Sequence, residues 1–218
     1  MTEIKVCGIT SLTDAERCVE LGVHALGFNF WPGSKRYCPP AQAAEIIAAL
    51  PPGIQKVGVY VDASAEELRR ISETTGADWV QLHGDEAPEL LEAFLPKAYK
   101  AFRVAGPEIL GEVERYAGDE VLLDAFVPGE AGGTGKVFPW PLAREVGNYR
   151  RVTLAGGLHA GNVAQAIFEA RPYRVDVASG IEAAPGRKDP DKLRAFVAAV
   201  GRADAEHAEI DESSSQRR

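Results

Sequence analysis

Cysteine is scarce in this sequence, with three in 218 residues. Cys7, Cys18 and Cys38 cannot all pair and none stands in a C-x-x-C spacing, which argues against a disulfide framework and fits a reducing compartment. The four histidines are scattered, so no metal-ligand spacing appears and no metal is expected. No apolar run reaches the roughly 18 residues of a membrane span, and Met1-Thr2-Glu3-Ile4-Lys5 carries no apolar signal core. A soluble, cytoplasmic protein is the expectation. Positive charge is also in deficit: 24 Lys and Arg stand against 32 Asp and Glu, a net charge of −8. That balance disfavours nucleic acid and anionic membrane as partners, both of which favour basic patches. A small anionic ligand survives the argument, because a local cluster of donors can oppose the global charge.

What the chain does contain is a repeated strand-then-helix plan, with 45% hydrophobic residues to fill a core. Ile4–Cys7 reads as a buried strand and Ser11–Gly22 as the amphipathic helix after it. The plan recurs with strands at 25–30, 56–61, 79–83, 98–104, 120–126, 151–155 and 174–179. Helical patterns follow at 41–50, 64–75, 88–95, 109–116, 140–146, 162–170 and 190–200. Pro39 and Pro40 mark one helix start, and Ser64 with Glu67 three residues on marks another. Strands alternating with helices imply a parallel sheet with right-handed crossovers. Eight of them imply closure into a (β/α)8 barrel, the TIM barrel, over residues 1–202. A doubly wound open sheet is the rival, but the first turn is Cys7-Gly8-Ile9-Thr10 and lacks the G-x-G-x-x-G fingerprint. From Ala203 the sequence turns polar, and 203–218 is expected to be a frayed tail.

In such a barrel, chemistry collects where strands end and the following loops begin. The polar residues there are Cys7, Asn29, Asp62, His83, Arg103, Asp124 and Ser179. Lys5 lies two residues before Cys7 and shares its face, and Asp176 on the eighth strand is a candidate partner for that lysine. A nearby ammonium would favour the Cys7 thiolate, the form a proton-abstracting cysteine needs. Cys18 on a helix and Cys38 beside Pro39 fit structural roles. Asp124 ends the apolar run Val121-Leu122-Leu123, and an apolar setting would raise its pKa and suit it to general acid work. Gly132-Gly133-Thr134-Gly135-Lys136 fails as a nucleotide P-loop, yet a backbone-donor loop for an anion is open to it. Ala155-Gly156-Gly157-Leu158 and Ala178-Ser179-Gly180-Ile181 end strands seven and eight, where barrel enzymes commonly bind phosphate through backbone N–H groups. Arg36, in the loop after strand two, could clamp a carboxylate through two parallel bonds. His83, in Gln81-Leu82-His83-Gly84-Asp85, fits a core or loop histidine as readily as one that contacts substrate.

Taken in order along the chain, these pieces resemble the phosphoribosylanthranilate isomerase family from Lys5 to about Val200. The resemblance rests on Lys5-Val6-Cys7-Gly8-Ile9-Thr10, Gly27-Phe28-Asn29-Phe30 with the Pro32–Arg36 loop, Val57-Gly58-Val59-Tyr60 and Val80-Gln81-Leu82-His83-Gly84. It continues through Leu122-Leu123-Asp124, Gly132-Gly133-Thr134-Gly135, Ala155-Gly156-Gly157-Leu158 with Asn162-Val163, and Asp176-Val177-Ala178-Ser179-Gly180-Ile181-Glu182. Val137 and Pro139 depart from the family, which more often has a small polar residue and an aspartate there. The resemblance implies an Amadori rearrangement of a phosphorylated sugar amine in tryptophan biosynthesis. By that similarity Asp124 is the acid, Cys7 the base and Arg36 the holder of the anthranilate carboxylate. Substrate contacts are implied at His83, Gly133, Gly135, Gly156, Gly157, Ser179 and Gly180, with Lys5 and Asp176 supporting. No cofactor is implied, and the oligomeric state is left as monomer or homodimer. Two alternatives remain: the histidine-pathway sugar-phosphate isomerase, whose family carries an aspartate where Cys7 stands, and a non-catalytic phosphate-ligand binding barrel.

Overall fold

The computed structural model describes residues 1–124 and 140–215. Eight strands hydrogen-bond in chain order and close on themselves, β1 pairing with both β2 and β8, all in parallel. They are β1 (Glu3–Cys7), β2 (Ala25–Asn29), β3 (Gln55–Tyr60), β4 (Trp79–Leu82), β5 (Ala98–Arg103), β6 (Glu120–Asp124), β7 (Arg151–Ala155) and β8 (Arg174–Val177). The helices between them are α1 (Leu12–Glu20), α2 (Pro40–Ala49), α3 (Ala65–Thr75), α4 (Pro88–Glu92), α5 (Ile109–Glu114), α6 (Trp140–Val146) and α7 (Val163–Ala170), and α8 (Pro190–Ser215) follows β8. The expected barrel is therefore the fold found. No helix among the described residues is long and apolar enough to cross a membrane.

Alternation along each strand sorts the side chains into two environments. Ile4 and Val6, Leu26 and Phe28, Val121 and Leu123, Val175 and Val177 pack outward into the main core, beneath the helices. Ala25, Val57, Tyr99, Ala101, Leu122 and Ala155 form a separate cluster inside the barrel. Lys5, Cys7, Gln81, Asp124 and Asp176 lie on the inward-facing set of their strands, which carries polar groups toward the axis. Local chemistry sets the helix starts. The Ser11 and Ser64 hydroxyls accept from the N–H groups of Asp14 and Glu67, each at 3.2 Å. Gly76, at φ 75°, ends α3 in the left-handed conformation that only a residue without Cβ adopts at little cost.

The amino-terminal mouth of the barrel is closed by an ion-pair network. The Arg174 guanidinium, 3% exposed, donates to Glu3 at 2.7 and 3.0 Å and to Glu120 at 2.9 Å. Thr153 Oγ1 also donates to Glu120, at 3.1 Å. These residues sit at the end opposite the loops that follow the strands, so their role is stability rather than chemistry. Removing one partner leaves the others charged and desolvated. Arg174→Met is expected to cost about 3–5 kcal/mol of folding free energy in a denaturant titration, the scale for breaking a buried ion pair. A loss below about 1 kcal/mol would show that water already solvates the network.

The fold differs from the sequence expectations in two places. After β8 comes a 3-10 turn, Ser179–Ile181, and then a two-stranded antiparallel hairpin of β9 (Glu182–Ala184) and β10 (Arg187–Lys188). Its strands are too short for periodicity to register, and only Pro185-Gly186, with Gly186 at φ 79°, marks the turn. Second, the frayed tail expected from Ala203 is helical as far as Ser215. The apolar stripe of Leu193, Phe196, Val200 and Ala203 continues at helical spacing, all of it buried. Asp204 then ties α8 to the amino terminus, accepting from the Thr2 N–H and hydroxyl, each at 2.7 Å.

Candidate active site

Cys7 and Asp124 occupy the last residues of β1 and β6 and face inward at the same end of the barrel. Space around Cys7 depends on two glycines. A Cβ at Gly27 on β2 would lie 2.9 Å from the Cys7 Sγ and 3.2 Å from the Lys5 Nζ, and one at Gly8 would lie 2.6 Å from the Arg36 Cδ. Lys5 is fully buried and pairs with Asp176 at 3.0 Å, as their shared register on β1 and β8 dictates. Its pKa is driven up: desolvation opposes the charge, but the Asp176 carboxylate, Cys7 and Tyr99 together outweigh it.

The expectation that Lys5 would yield a resting thiolate is not what the geometry produces. Burial is the largest influence on Cys7 and pushes its thiol above the ordinary range, and Asp176 adds to that rise. Lys5 and Lys188 pull the other way without prevailing. The Lys5 charge does act on the sulfur, but burial outweighs it and the Asp176 carboxylate offsets part of it. Cys18 and Cys38 fit the structural reading: both are fully buried, and desolvation holds them up at about 12 and about 11.

Asp124 also has a setting different from the expected apolar one. Its side chain is 21% accessible, and its Oδ2 lies 3.6 Å from the Nε2 of His83. The imidazole is fixed from behind: Gln81 Nε2 meets His83 Nδ1 at 2.8 Å, and the Tyr99 hydroxyl donates to Gln81 Oε1 at 3.0 Å. The loop carrying His83 is braced by Lys100, which donates to the Gly84 carbonyl at 2.7 Å and pairs with Glu86 at 3.3 Å. Glu86 in turn accepts from the Gly84 and Asp62 N–H groups. Asp62 is thereby a loop brace, and Asn29 caps its own turn by accepting from the Trp31 N–H at 3.0 Å. Arg103 pairs in register with Asp124 and is exposed. A cavity of about 450 Å³ opens on the β4–β5 side of His83, lined by Lys100, Phe102, Arg103, Arg115 and Tyr116 among others.

Arg36 reaches across from the loop after β2 and is already engaged. Its Nε and one terminal nitrogen donate to the two carboxylate oxygens of Glu182 at 2.8 and 2.7 Å. Those bonds and the Lys188 ammonium hold Glu182 below the usual carboxylate range despite its desolvation. Lys188 spans Glu182 at 3.0 Å and the Cys7 carbonyl at 2.6 Å, so the β9–β10 hairpin braces both Arg36 and the carboxyl-terminal end of β1. Glu182 occupies the side edge of the guanidinium. The end edge is what a substrate carboxylate can address.

At the ends of β7 and β8, Gly156 and Gly157 adopt φ of 91° and 63°. A side chain at Gly180 would collide with the Leu158 carbonyl, which is why the two loops can lie against each other. Asn162 pins the β7 loop, accepting from the His159 N–H at 2.8 Å and donating to the Gly157 carbonyl at 3.0 Å. Ser179 opens the 3-10 turn beside them and is exposed. Gly133 and Gly135, together with Val137 and Pro139, lie outside the described residues. No cluster of three or more His, Cys, Asp or Glu suited to a metal occurs among the described residues.

A family model described as N-(5'phosphoribosyl)anthranilate (PRA) isomerase matches residues 4–199. The chain belongs to this family. The N-(5'-phosphoribosyl)anthranilate isomerase of Geobacter sp. (strain M21) is 49% identical over 198 residues, covering 91% of this chain and 97% of that protein. The crystal structure of phosphoribosyl anthranilate isomerase from Thermotoga maritima superposes with a TM-score of 0.83 at 39% identity, covering 90% of this chain and 97% of that one. A crystal structure of the isomerase in complex with reduced 1-(o-carboxyphenylamino)-1-deoxyribulose 5-phosphate gives a TM-score of 0.80 at 36% identity, with coverage of 90% and 97%.

Sequence reading assigned this member of the isomerase family no role for Gln81, Tyr99, Lys188 or Glu182. Gln81 was findable, since it lies two residues before His83 and so shares its inward face. Tyr99, Glu182 and Lys188 were not. Their partners are 18, 146 and 181 residues away in sequence.

Proposed function

We propose that the chain catalyses the Amadori rearrangement of N-(5-phosphoribosyl)anthranilate to 1-(2-carboxyphenylamino)-1-deoxyribulose 5-phosphate, as a cytoplasmic enzyme of tryptophan biosynthesis. The observation that carries this reading is the inward-facing pair of Cys7 and Asp124 at one barrel end, beside the glycine loops of β7 and β8, in a chain of this family. Asp124 gives a proton to the furanose ring oxygen, and the C1–O bond breaks to leave a hydroxyl and an iminium at C1. Cys7 then takes the proton from C2, whose electrons neutralise the iminium and form the enolamine. Protonation of C1, with loss of the C2 hydroxyl proton, yields the ketone.

The iminium supplies what the resting site lacks. A positive charge one bond from C2 acidifies that C–H and favours a thiolate beside it, offsetting the desolvation that keeps Cys7 a thiol in the free protein. The phosphate binds at the β7 and β8 loops, through backbone N–H groups around Gly156, Gly157, Ser179 and Gly180. Arg36, oriented by Glu182, takes the anthranilate carboxylate on its end edge. Arg36→Met is therefore expected to raise KM about tenfold or more, the loss of a charge-assisted bond, and to lower kcat far less. An unchanged KM would remove the arginine from substrate recognition.

The test of the whole reading is loss of anthranilate-type fluorescence when purified protein meets freshly prepared phosphoribosylanthranilate. Rapid loss, absent when Cys7 is replaced by alanine, is the expected result. A folded protein that binds the substrate and leaves its fluorescence unchanged would favour the binding-barrel alternative.

A further inference from the structure

Behind Asp124 runs a chain of three side chains that the reaction does not itself require. Tyr99 and Gln81 are fully buried inside the barrel, paired in register on β5 and β4. Their geometry leaves few ways to place protons. Asp124 Oδ2 lies 3.6 Å from His83 Nε2, and whether the carboxyl is ionised or carries its proton on the other oxygen, Oδ2 favours a hydrogen on that nitrogen. A neutral ring then has a bare Nδ1, which needs a donor, and the Gln81 amide nitrogen stands 2.8 Å away. That orientation turns the amide oxygen to Tyr99, whose hydroxyl donates to it at 3.0 Å. Both contacts of the Gln81 amide then pair a donor with an acceptor.

We infer that Gln81 is a positioning residue, which holds His83 as the neutral ring with its hydrogen on Nε2 and aims that hydrogen at Asp124. The consequence is electrostatic, and it rests on the reading of Asp124 as the acid. An imidazolium in the place of a neutral ring would stabilise the carboxylate and withhold the proton that opens the furanose. Gln81 opposes the imidazolium because protonating Nδ1 sets two donors face to face. The other charged groups that line the cavity beside the ring are Lys100 and Arg103 on β5, Arg115 and Glu112 at α5, and Asp85 in the loop after β4, with Asp62 and Glu86 bracing that loop. They are of mixed sign and are unchanged in the variants below.

The test is ¹⁵N NMR of the His83 ring across pH in the free full-length protein, together with kcat and KM against pH. Wild type should show a neutral ring protonated at Nε2 at pH 7.5. Gln81→Met removes the opposing donor, and Gln81→Glu replaces it with an acceptor. The pH at which the ring becomes imidazolium should rise in the order wild type, Met, Glu. In Gln81→Glu the alkaline limb of the kcat profile should move down by about one pH unit or more, a loss of roughly tenfold at fixed alkaline pH, with KM nearly unchanged. Tyr99→Phe, which frees the amide to rotate, should move the ring titration in the same direction and covers the case in which a Gln81 variant fails to fold. An imidazolium or an Nδ1–H ring in wild type at pH 7.5, or superimposable ring titrations across the series, would overturn the inference. If the rings titrate as described while phosphoribosylanthranilate is not turned over, the reading of the reaction fails and the positioning role stands.

Discussion

Cys7→Ala is expected to lower kcat by about a hundredfold to ten-thousandfold, the range for losing a positioned general base. KM should change little, because the phosphate loops and Arg36 lie on other strands. The site has room for sulfur, since Gly27 leaves space for the Sγ. Lys5 cannot serve as the base in its place, being held as an ammonium by Asp176 at 3.0 Å. The same environment makes a second, independent measurement possible. Burial raises the thiol pKa, so alkylation of Cys7 in the free protein should accelerate only at pH values above those of an ordinary cysteine. A substrate analogue carrying a cationic nitrogen at the position of the iminium should move that onset to lower pH. Near-normal turnover by Cys7→Ala would take the thiol out of the mechanism.

Asp124→Asn should cost about as much in kcat, because the amide keeps the shape of the side chain and loses the transferable proton. The substitution also changes what His83 faces, from a carboxylate at 3.6 Å to an amide. Substrate should still bind, which single-turnover fluorescence separates from chemistry: binding signal retained, ring opening lost. The two variants are expected to be non-additive, since a site lacking its acid never forms the iminium on which the base acts. If the double variant were slower than either single one by the full product of both losses, the acid and base steps would be independent and the sequential order wrong.

Much of the barrel was legible because its signals are local. Each strand is a short apolar run ended by a polar or glycine residue, each helix has a period near 3.6, and Ser11 and Ser64 cap their helices as a linear reading expects. The same alternation placed Cys7 and Asp124 at inward-facing strand ends. Two elements escaped for reasons of length. The β9–β10 hairpin is too short to show a period, and the polar carboxy-terminal part of α8 hid a helix whose apolar stripe ends at Ala203. The charges escaped for a different reason. Lys5 beside Cys7 suggested a thiolate, but the sign of the shift depends on how much water each group loses and on the Asp176 carboxylate that neutralises the lysine.

The sequence by itself determined the order of eight strand–helix units, the closed barrel that eight such units imply, and the strand ends at which an acid, a base and a phosphate site could meet. Periodicity and turn chemistry act between near neighbours, and they suffice for that. Only the tertiary structure decided which groups face one another across the barrel. Closing β8 onto β1 set Asp176 against Lys5, pairing β4 with β5 set Tyr99 against Gln81, and the hairpin after β8 delivered Glu182 to Arg36. Those contacts join residues far apart in the chain, and desolvation and charge pairing take their values from that packing.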